Sequence, residues 1–447
     1  MKIKLFKTLD NGKDLHSPVF ACYIIVFAPL ITILLGLISW ALSGTYEVLG
    51  SMTRQIYIFA FIFPLLFFVL DLYPLILKQR KFEGVKSTIS NHPELFILLC
   101  FLIWNIIATL LQMKIFGHSR AYTSRIQPRG VQEGLFAFVI YGLCVLMAFW
   151  VKDNRIMKNV LVCFIVTAFS LSFLALIDPF SKFIIHSIGN SSWPSVFLNS
   201  NHFSYYLTLA TALSAMGIIL SRVRWKWILS IVLFAFFSVM MLIVDTFGSN
   251  LAVFGIFVLI PIILSLFKQK FDWKYLLPLL IFSVCSFAIM PFVKQINSNC
   301  TNFFSQFVNL IKEFFVVASA PTSTEAAQAG TNRWELWMYA FNEIKDSPLI
   351  GTGNVFLRPH NEYLQFAQVW GIPSLIIYLS AFVVILVKAI KRRKTLSDLS
   401  LTLLFCVLAF LSGAIFGNTM PHTTPFFALF LGFTIRELNR KKTEASI

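Results

Sequence analysis

Charge is what this sequence has least of. Only 13% of its 447 residues are charged, and acidic side chains number 20, whereas roughly 25% of a soluble domain is charged. That shortage excludes an ordinary soluble globule. A cysteine framework is missing too. Cys22, Cys100, Cys144, Cys163, Cys285 and Cys406 lie inside apolar runs, where they read as small core hydrophobes, and Cys300 has no counterpart outside such a run. Neither a disulfide nor a thiolate metal site is expected. There is no nucleotide-binding loop, because Gly351-Thr352-Gly353 follows no strand and lacks a third glycine, so ATP is not expected as an energy source. No His/Asp/Glu set outside the apolar runs has metal-ligand spacing, and neither a metal nor another cofactor is expected.

What the chain does have is apolar length. Hydrophobic residues make up 57% of it, with 49 Phe, and about 20 such residues cross a hydrocarbon core of about 30 Å. Twelve candidate spans follow, near 18–42, 55–77, 95–112, 134–151, 159–180, 203–221, 227–245, 249–267, 275–293, 362–387, 400–416 and 423–435. The long run from Trp225 to Leu266 is divided by the turn-forming cluster Asp245-Thr246-Phe247-Gly248-Ser249-Asn250. The first span has an apolar stretch too long for a cleaved signal peptide and reads as a retained anchor. The expected fold is all-α, a polytopic integral membrane helical bundle of about twelve transmembrane helices with one large, partly helical outer loop. Residues 1–293 would hold nine helices, 294–360 the loop, and 361–447 the last three helices and a cytoplasmic tail.

Lys and Arg give the orientation. Of 37 basic residues, 26 fall in the segments that this count places on one side and 11 on the other. Basic loops stay in the cytoplasm, so both termini of a multi-pass membrane protein are expected there. The net charge of +17 therefore encodes orientation. It points to membrane lipids as surroundings and to no nucleic-acid partner.

Chemistry is then expected on the outer side. Phe303, Phe307, Leu310, Phe314 and Phe315 recur at helical spacing and suggest a helix lying in the interface. Residues 318–330 read as a mobile linker, and Asn332 with Glu335 as the capped start of a second helix ending at Ser347-Pro348. Arg333 would sit in its first turn, unfavourably placed for the helix dipole, which points either to an anion or to a solvated charge paired with Glu335. Arg358-Pro359-His360-Asn361-Glu362 precedes the tenth span, putting His360 at the outer boundary as a general base or a helix-start residue. Arg120, Arg125 and Arg129 oppose the orientation rule and fit an anionic ligand or a lipid headgroup. Asn199 and Asn201 open the sixth span as caps or as partners for sugar hydroxyls.

Together these stretches resemble the O-antigen ligase/polymerase superfamily of bacterial envelope proteins, which comprises O-antigen ligases, Wzy-type polymerases and related protein O-oligosaccharyltransferases. The likeness rests on Asn199-x-Asn201, on Arg333-Trp334-Glu335-Leu336-Trp337 continuing to Pro348-Leu349-Ile350-Gly351-Thr352-Gly353, and on His360-Asn361-Glu362-Tyr363-Leu364-Gln365 with Gly371-Ile372. It implies a metal-independent, inverting membrane glycosyltransferase that uses a polyprenyl-pyrophosphate-linked glycan as donor and a glycan or glycolipid as acceptor, with partners in polysaccharide export. The resemblance also implies the bacterial cytoplasmic (inner) membrane as its location. Polymerisation of surface polysaccharide repeat units is the preferred form, with O-antigen ligation or protein O-oligosaccharide transfer as the alternative. The resemblance assigns catalytic roles to His360 and Arg333. Pyrophosphate and acceptor contacts are expected from Arg358, Asn361, Glu362, Arg120, Arg125, Arg129, Asn199 and Asn201. This chain has Ser249-Asn250 where family members carry Ser-Arg, and Ser204 where they carry Ala. A transporter or flippase of lipid-linked glycans is the reading from another class, disfavoured by spans nearly free of ionisable residues.

Overall fold

The computed structural model describes residues 16–43, 92–116, 135–176, 197, 200–268, 271–296, 302–353, 358–417 and 423–440. The expected second span, Arg120, Arg125, Arg129, Asn199 and Cys300 lie outside these residues.

Among the described residues every regular element is helical: α1 (His16–Ser43), α2 (Pro93–Phe116), α3 (Leu135–Trp150), α4 (Asn154–Leu176), α5 (Ser200–Leu220), α6 (Arg224–Val244), α7 (Phe247–Lys268), α8 (Leu277–Ala288), α9 (Met290–Ile296), α10 (Phe303–Ser319), α11 (Thr324–Asp346), α12 (Glu362–Trp370), α13 (Ile372–Lys391), α14 (Asp398–Ala414) and α15 (Thr424–Asn439). Six of them, α2, α4, α5, α6, α7 and α13, contain stretches long and apolar enough to cross a membrane, which is the character of a multi-pass membrane protein. In hydrocarbon the backbone must satisfy itself, and a helix does so within one segment.

Helix α5 is the hub. Its apolar stretch is 83% buried, against 28% for α2, and α6, α7 and α14 all pack on it. Helix α2 instead leaves Leu99, Ile103, Ile107, Leu110 and Met113 exposed, a face that suits lipid. Where α15 meets α3 the backbones touch: a Cβ on Gly432 would fall 2.3 Å from the Val145 carbonyl oxygen. Small residues permit such approach between apolar helices.

Two elements differ from the sequence reading. Helix α11 begins at Thr324, with Ser323 Oγ accepting the Ala326 N–H at 3.0 Å, so residues expected as a linker are largely helical. Ser followed by Glu, Ala and Gln is itself a cap and a run of strong helix formers. Asn332 still marks a local change of direction, with φ of +66°, a conformation Asn tolerates better than most residues.

The tenth expected span, 362–387, is two helices. A straight helix would hold residues 362 and 378 about 24 Å apart, yet Tyr378 OH donates to Glu362 Oε1 at 2.9 Å and the Phe366 and Tyr378 rings lie 4.7 Å apart. Helix α12 therefore folds back along α13 about a turn at Gly371, whose φ is +86°. Tyr378 is seven residues beyond the turn, so the foot of α12 lies about 10 Å along α13 from it. The carbonyls released by the turn find side-chain donors on α2. Gln112 Nε2 donates to Ile350 O and Val369 O (2.5 and 2.7 Å), and Trp104 Nε1 donates to Trp370 O (3.0 Å). Residues 348–353 close the other side, with Thr352 N–H on Gln368 O, Gly353 N–H on Val369 O and Ile372 N–H on Pro348 O.

A Cβ at Gly371 would fall 2.0 Å from the Leu349 carbonyl oxygen, whereas one at Gly255, inside α7, meets nothing within 4 Å. Gly371→Ala is expected to destabilise the protein by about 3 kcal/mol, and Gly255→Ala to leave it unchanged or stabilise it by up to about 1 kcal/mol. Thermal unfolding of both variants in the same detergent measures the contrast.

Candidate functional site

Four elements deliver polar groups to one place beside α5. The first is the segment before α12. Pro359 is buried, and its carbonyl accepts the Trp337 Nε1–H from α11 at 2.7 Å. His360 follows in a left-handed conformation, φ of +49°, sparsely populated for a residue with a side chain. Asn361 then caps α12, its Oδ1 accepting the N–H groups of Tyr363 and Leu364 at 3.0 and 3.1 Å. The strained turn is thus pinned on both sides, by Trp337 before it and the cap after it.

Helix α11 supplies Arg333. Its guanidinium lies over the Phe416 ring, with Cζ 5.7 Å from the centroid, a cation–π geometry. It also approaches the start of α7: a Cβ at Gly248 would fall 3.4 Å from Arg333 Nη1 and 2.4 Å from Phe416 Cβ. Glycine there leaves room for Phe416, on which Arg333 lies. Among the described residues Arg333 has no carboxylate partner, and burial draws its pKa down from the usual arginine value without discharging it.

The N-terminus of α7 is the third contributor. First-turn N–H groups lack intrahelical acceptors and carry the positive end of the helix dipole. Around them Thr246, Ser249 and Asn250 are buried; Thr246 Oγ1 and Asn250 Oδ1 have no hydrogen-bond partner among the described residues, and Ser249 Oγ lies against the Tyr205 hydroxyl. Such groups are costly to bury unsatisfied. With Arg333 alongside, they form a polar cluster whose chemistry suits an anion carrying hydroxyl or phosphate oxygens. The nearby carboxylate, Asp245, accepts a bond from Gln306 Nε2 at 3.0 Å.

Arg358 and the first turn of α5 complete the set. His360 lies within the fields of both Arg333 and Arg358. Burial first, and then those two positive charges, hold its imidazole below the ordinary histidine value. A neutral imidazole beside two cations can accept a proton at neutral pH. His202, next to Asn201 on α5, is within reach of Arg358 and His360 and has Nδ1 3.1 Å from Phe197 O.

The structure therefore brings His360, Arg333 and Arg358 together, with Asn201 next to a histidine at the same place. Asn361 is committed to capping. Glu362 is 3% exposed and faces Tyr378, so its carboxylate is directed into the bundle. The sequence reading passed over His202 and treated the start of α7 as a hairpin turn. The density of hydroxyl and amide groups at 246–250 was the available signal. Among the described residues no group of three or more His, Cys, Asp or Glu side chains could hold a metal ion.

Trp337→Phe removes the single bond from α11 to the Pro359 carbonyl. It is expected to cost about 1 kcal/mol and to speed hydrogen exchange at residues 360–362, read by mass spectrometry. The chain matches no family model and no curated protein.

Proposed function

We propose that this protein is an integral-membrane glycosyltransferase that moves a glycan from a polyprenyl-pyrophosphate carrier to an acceptor hydroxyl on the outer face of the bacterial cytoplasmic membrane, polymerising surface polysaccharide repeat units. In this reading the chain has about twelve spans with both termini in the cytoplasm, and α10 and α11 belong to a large outer loop. The observation that carries it is the pairing of His360, held toward its neutral form by burial and then by two arginines, with the cluster of Arg333 and the start of α7.

The reaction divides between these groups. Pyrophosphate is a leaving group with concentrated charge, and preorganised donors in a water-poor site stabilise that charge as it grows. Arg333 and the α7 amides bind the pyrophosphate, and Arg358 adds charge beside it. The acceptor hydroxyl oxygen attacks the anomeric carbon from the opposite face while His360 takes its proton. A carbon–oxygen bond to the acceptor forms as the bond to pyrophosphate breaks, and the electron pair leaves with polyprenyl pyrophosphate. Configuration at the anomeric carbon inverts. Thr246, Ser249 and Asn250 take the place of the arginine that family members carry after the serine.

His360→Ala and Arg333→Ala, expressed at normal level, are each expected to lower transfer by at least about 10²-fold. The assay reconstitutes the protein with a defined polyprenyl-pyrophosphate glycan. Extended lipid-linked chains indicate polymerisation, and transfer to another lipid or a protein indicates ligation. Normal rates in both variants would overturn the assignment. The depressed His360 pKa also places the acid limb of the pH–rate profile below the ordinary value of about 6.5. Arg358→Gln removes one of the charges holding it down, so the limb moves to higher pH.

The buried carboxylate of Glu362 at a fold-back helix gives a second reading, a transporter of lipid-linked glycan, some support. Lipid-linked units that accumulate in a deletion strain with their sugars accessible on the outer face favour the enzyme. Units confined to the inner face favour transport.

A further inference from the structure

The described residues enclose a half-open groove of about 370 Å³ between α2, α3, α12 and α15, the size class of a ligand site. It follows α2 from His92 to Leu102, about 15 Å, and its walls include Leu99, Gly142, Phe366 and Leu431. Phe96 and Leu99 are exposed along its open side. The polar groups divide between its ends: Glu362 and Tyr378, bonded to each other, lie toward one and His92 toward the other.

The His92 end is basic. The His92 ring stands edge-on to Phe149 at 4.8 Å, and exposed Lys152 follows three residues later. Lys388 reaches Glu94 and Asn439. Arg392 donates to the Leu438 and Arg440 carbonyls at the end of α15, with Lys391, Arg393 and Lys394 exposed beside it. The acidic groups at this end are engaged. Glu94 holds Lys388 and Asn439, Glu437 is met by Arg440 and Ser397, and Asp153 caps Arg155. An apolar channel that opens at an excess of positive charge fits a hydrocarbon chain with an anionic head.

We propose that this groove binds one acyl chain of an anionic glycerophospholipid, with the phosphate headgroup at the basic end beside His92 and Lys152. The polyprenyl carrier fits less well, because its pyrophosphate belongs at the Arg333 cluster, whereas the charge that would hold this headgroup lies at the far end of the groove. The chain extends to the foot of α12 and supports Glu362 and Tyr378 from below. The preference for a phospholipid over the polyprenyl carrier rests on the glycosyltransferase reading, whereas the apolar groove and its basic end are there whatever the reaction.

Native mass spectrometry of the full-length protein in detergent, titrated with phosphatidylglycerol or phosphatidylcholine, tests it. One phosphatidylglycerol is expected to be retained at least about fivefold more tightly than phosphatidylcholine, and Lys152→Gln to weaken that retention by about fivefold, the effect of one basic group near an anionic headgroup. Leu99→Trp fills the groove from its open side and abolishes retention. If Leu99→Trp lowers the thermal midpoint, Leu146→Trp on the α3 wall serves as the readout instead. Equal retention of the two lipids, undiminished retention in a folded groove-filling variant, or stoichiometric displacement of phosphatidylglycerol by a polyprenyl phosphate would each overturn the proposal.

Discussion

A polypeptide that reverses direction among apolar helices must find partners for the carbonyls it frees, and the turn at Gly371 is where this molecule meets that demand. Gln112 and Trp104 of α2 reach two of those oxygens, Val369 O and Trp370 O, and Gln112 also holds Ile350 O, while the backbone of 348–353 pairs with the end of α12. Unsatisfied groups in hydrocarbon cost several kcal/mol each, so α12 can fold back only because α2 supplies these donors. Much else depends on that fold-back. It sets the depth of Glu362, the position of the cap at Asn361 and hence the strained backbone of His360.

The site is assembled from parts that are individually unfavourable. A guanidinium is partly withdrawn from water against an aromatic ring, a histidine sits in a left-handed conformation near two cations, and polar side chains are buried at a helix start. Each costs free energy alone. They coexist because rigid neighbours fix them: Trp337 ties the two segments together, and Gly248 leaves room for Phe416, over whose ring Arg333 lies. An anion bound there would relieve several of these penalties together, which is a physical basis for ligand affinity.

Helix content and the apolar stretches were legible from length and periodicity, because a crossing helix leaves a long compositional trace. The reversal at 362–387 was harder to see. Its apolar pattern runs without interruption, and the available mark was Gly371-Ile372-Pro373, a glycine stop followed by a helix-starting proline. His360 and Arg333 stood out through residue type and sequence context. Thr246 did not, since a hydroxyl at a helix start becomes informative only when its neighbours are known to leave it unpartnered. The cap of α11 at Ser323 was obscured because small polar residues resemble a linker in composition while several are good helix formers.

Apart from the Thr352 hydroxyl, which meets Gln368 O and Glu343, the brace beneath α12 is built from main-chain atoms of residues 348–353, so it constrains backbone path more than side-chain identity. Leu349 is exposed and its side chain has no part in those bonds. Glycine is different: Gly351 and Gly371 both have positive φ, and a Cβ on either would strike backbone within 2.5 Å. Gly353, at φ of +68°, is a third such position, so mutational tolerance along this stretch should be sharply uneven, with variable positions next to glycines that resist replacement. Drift could alter the surface of the loop extensively while the path that sets His360 is inherited unchanged.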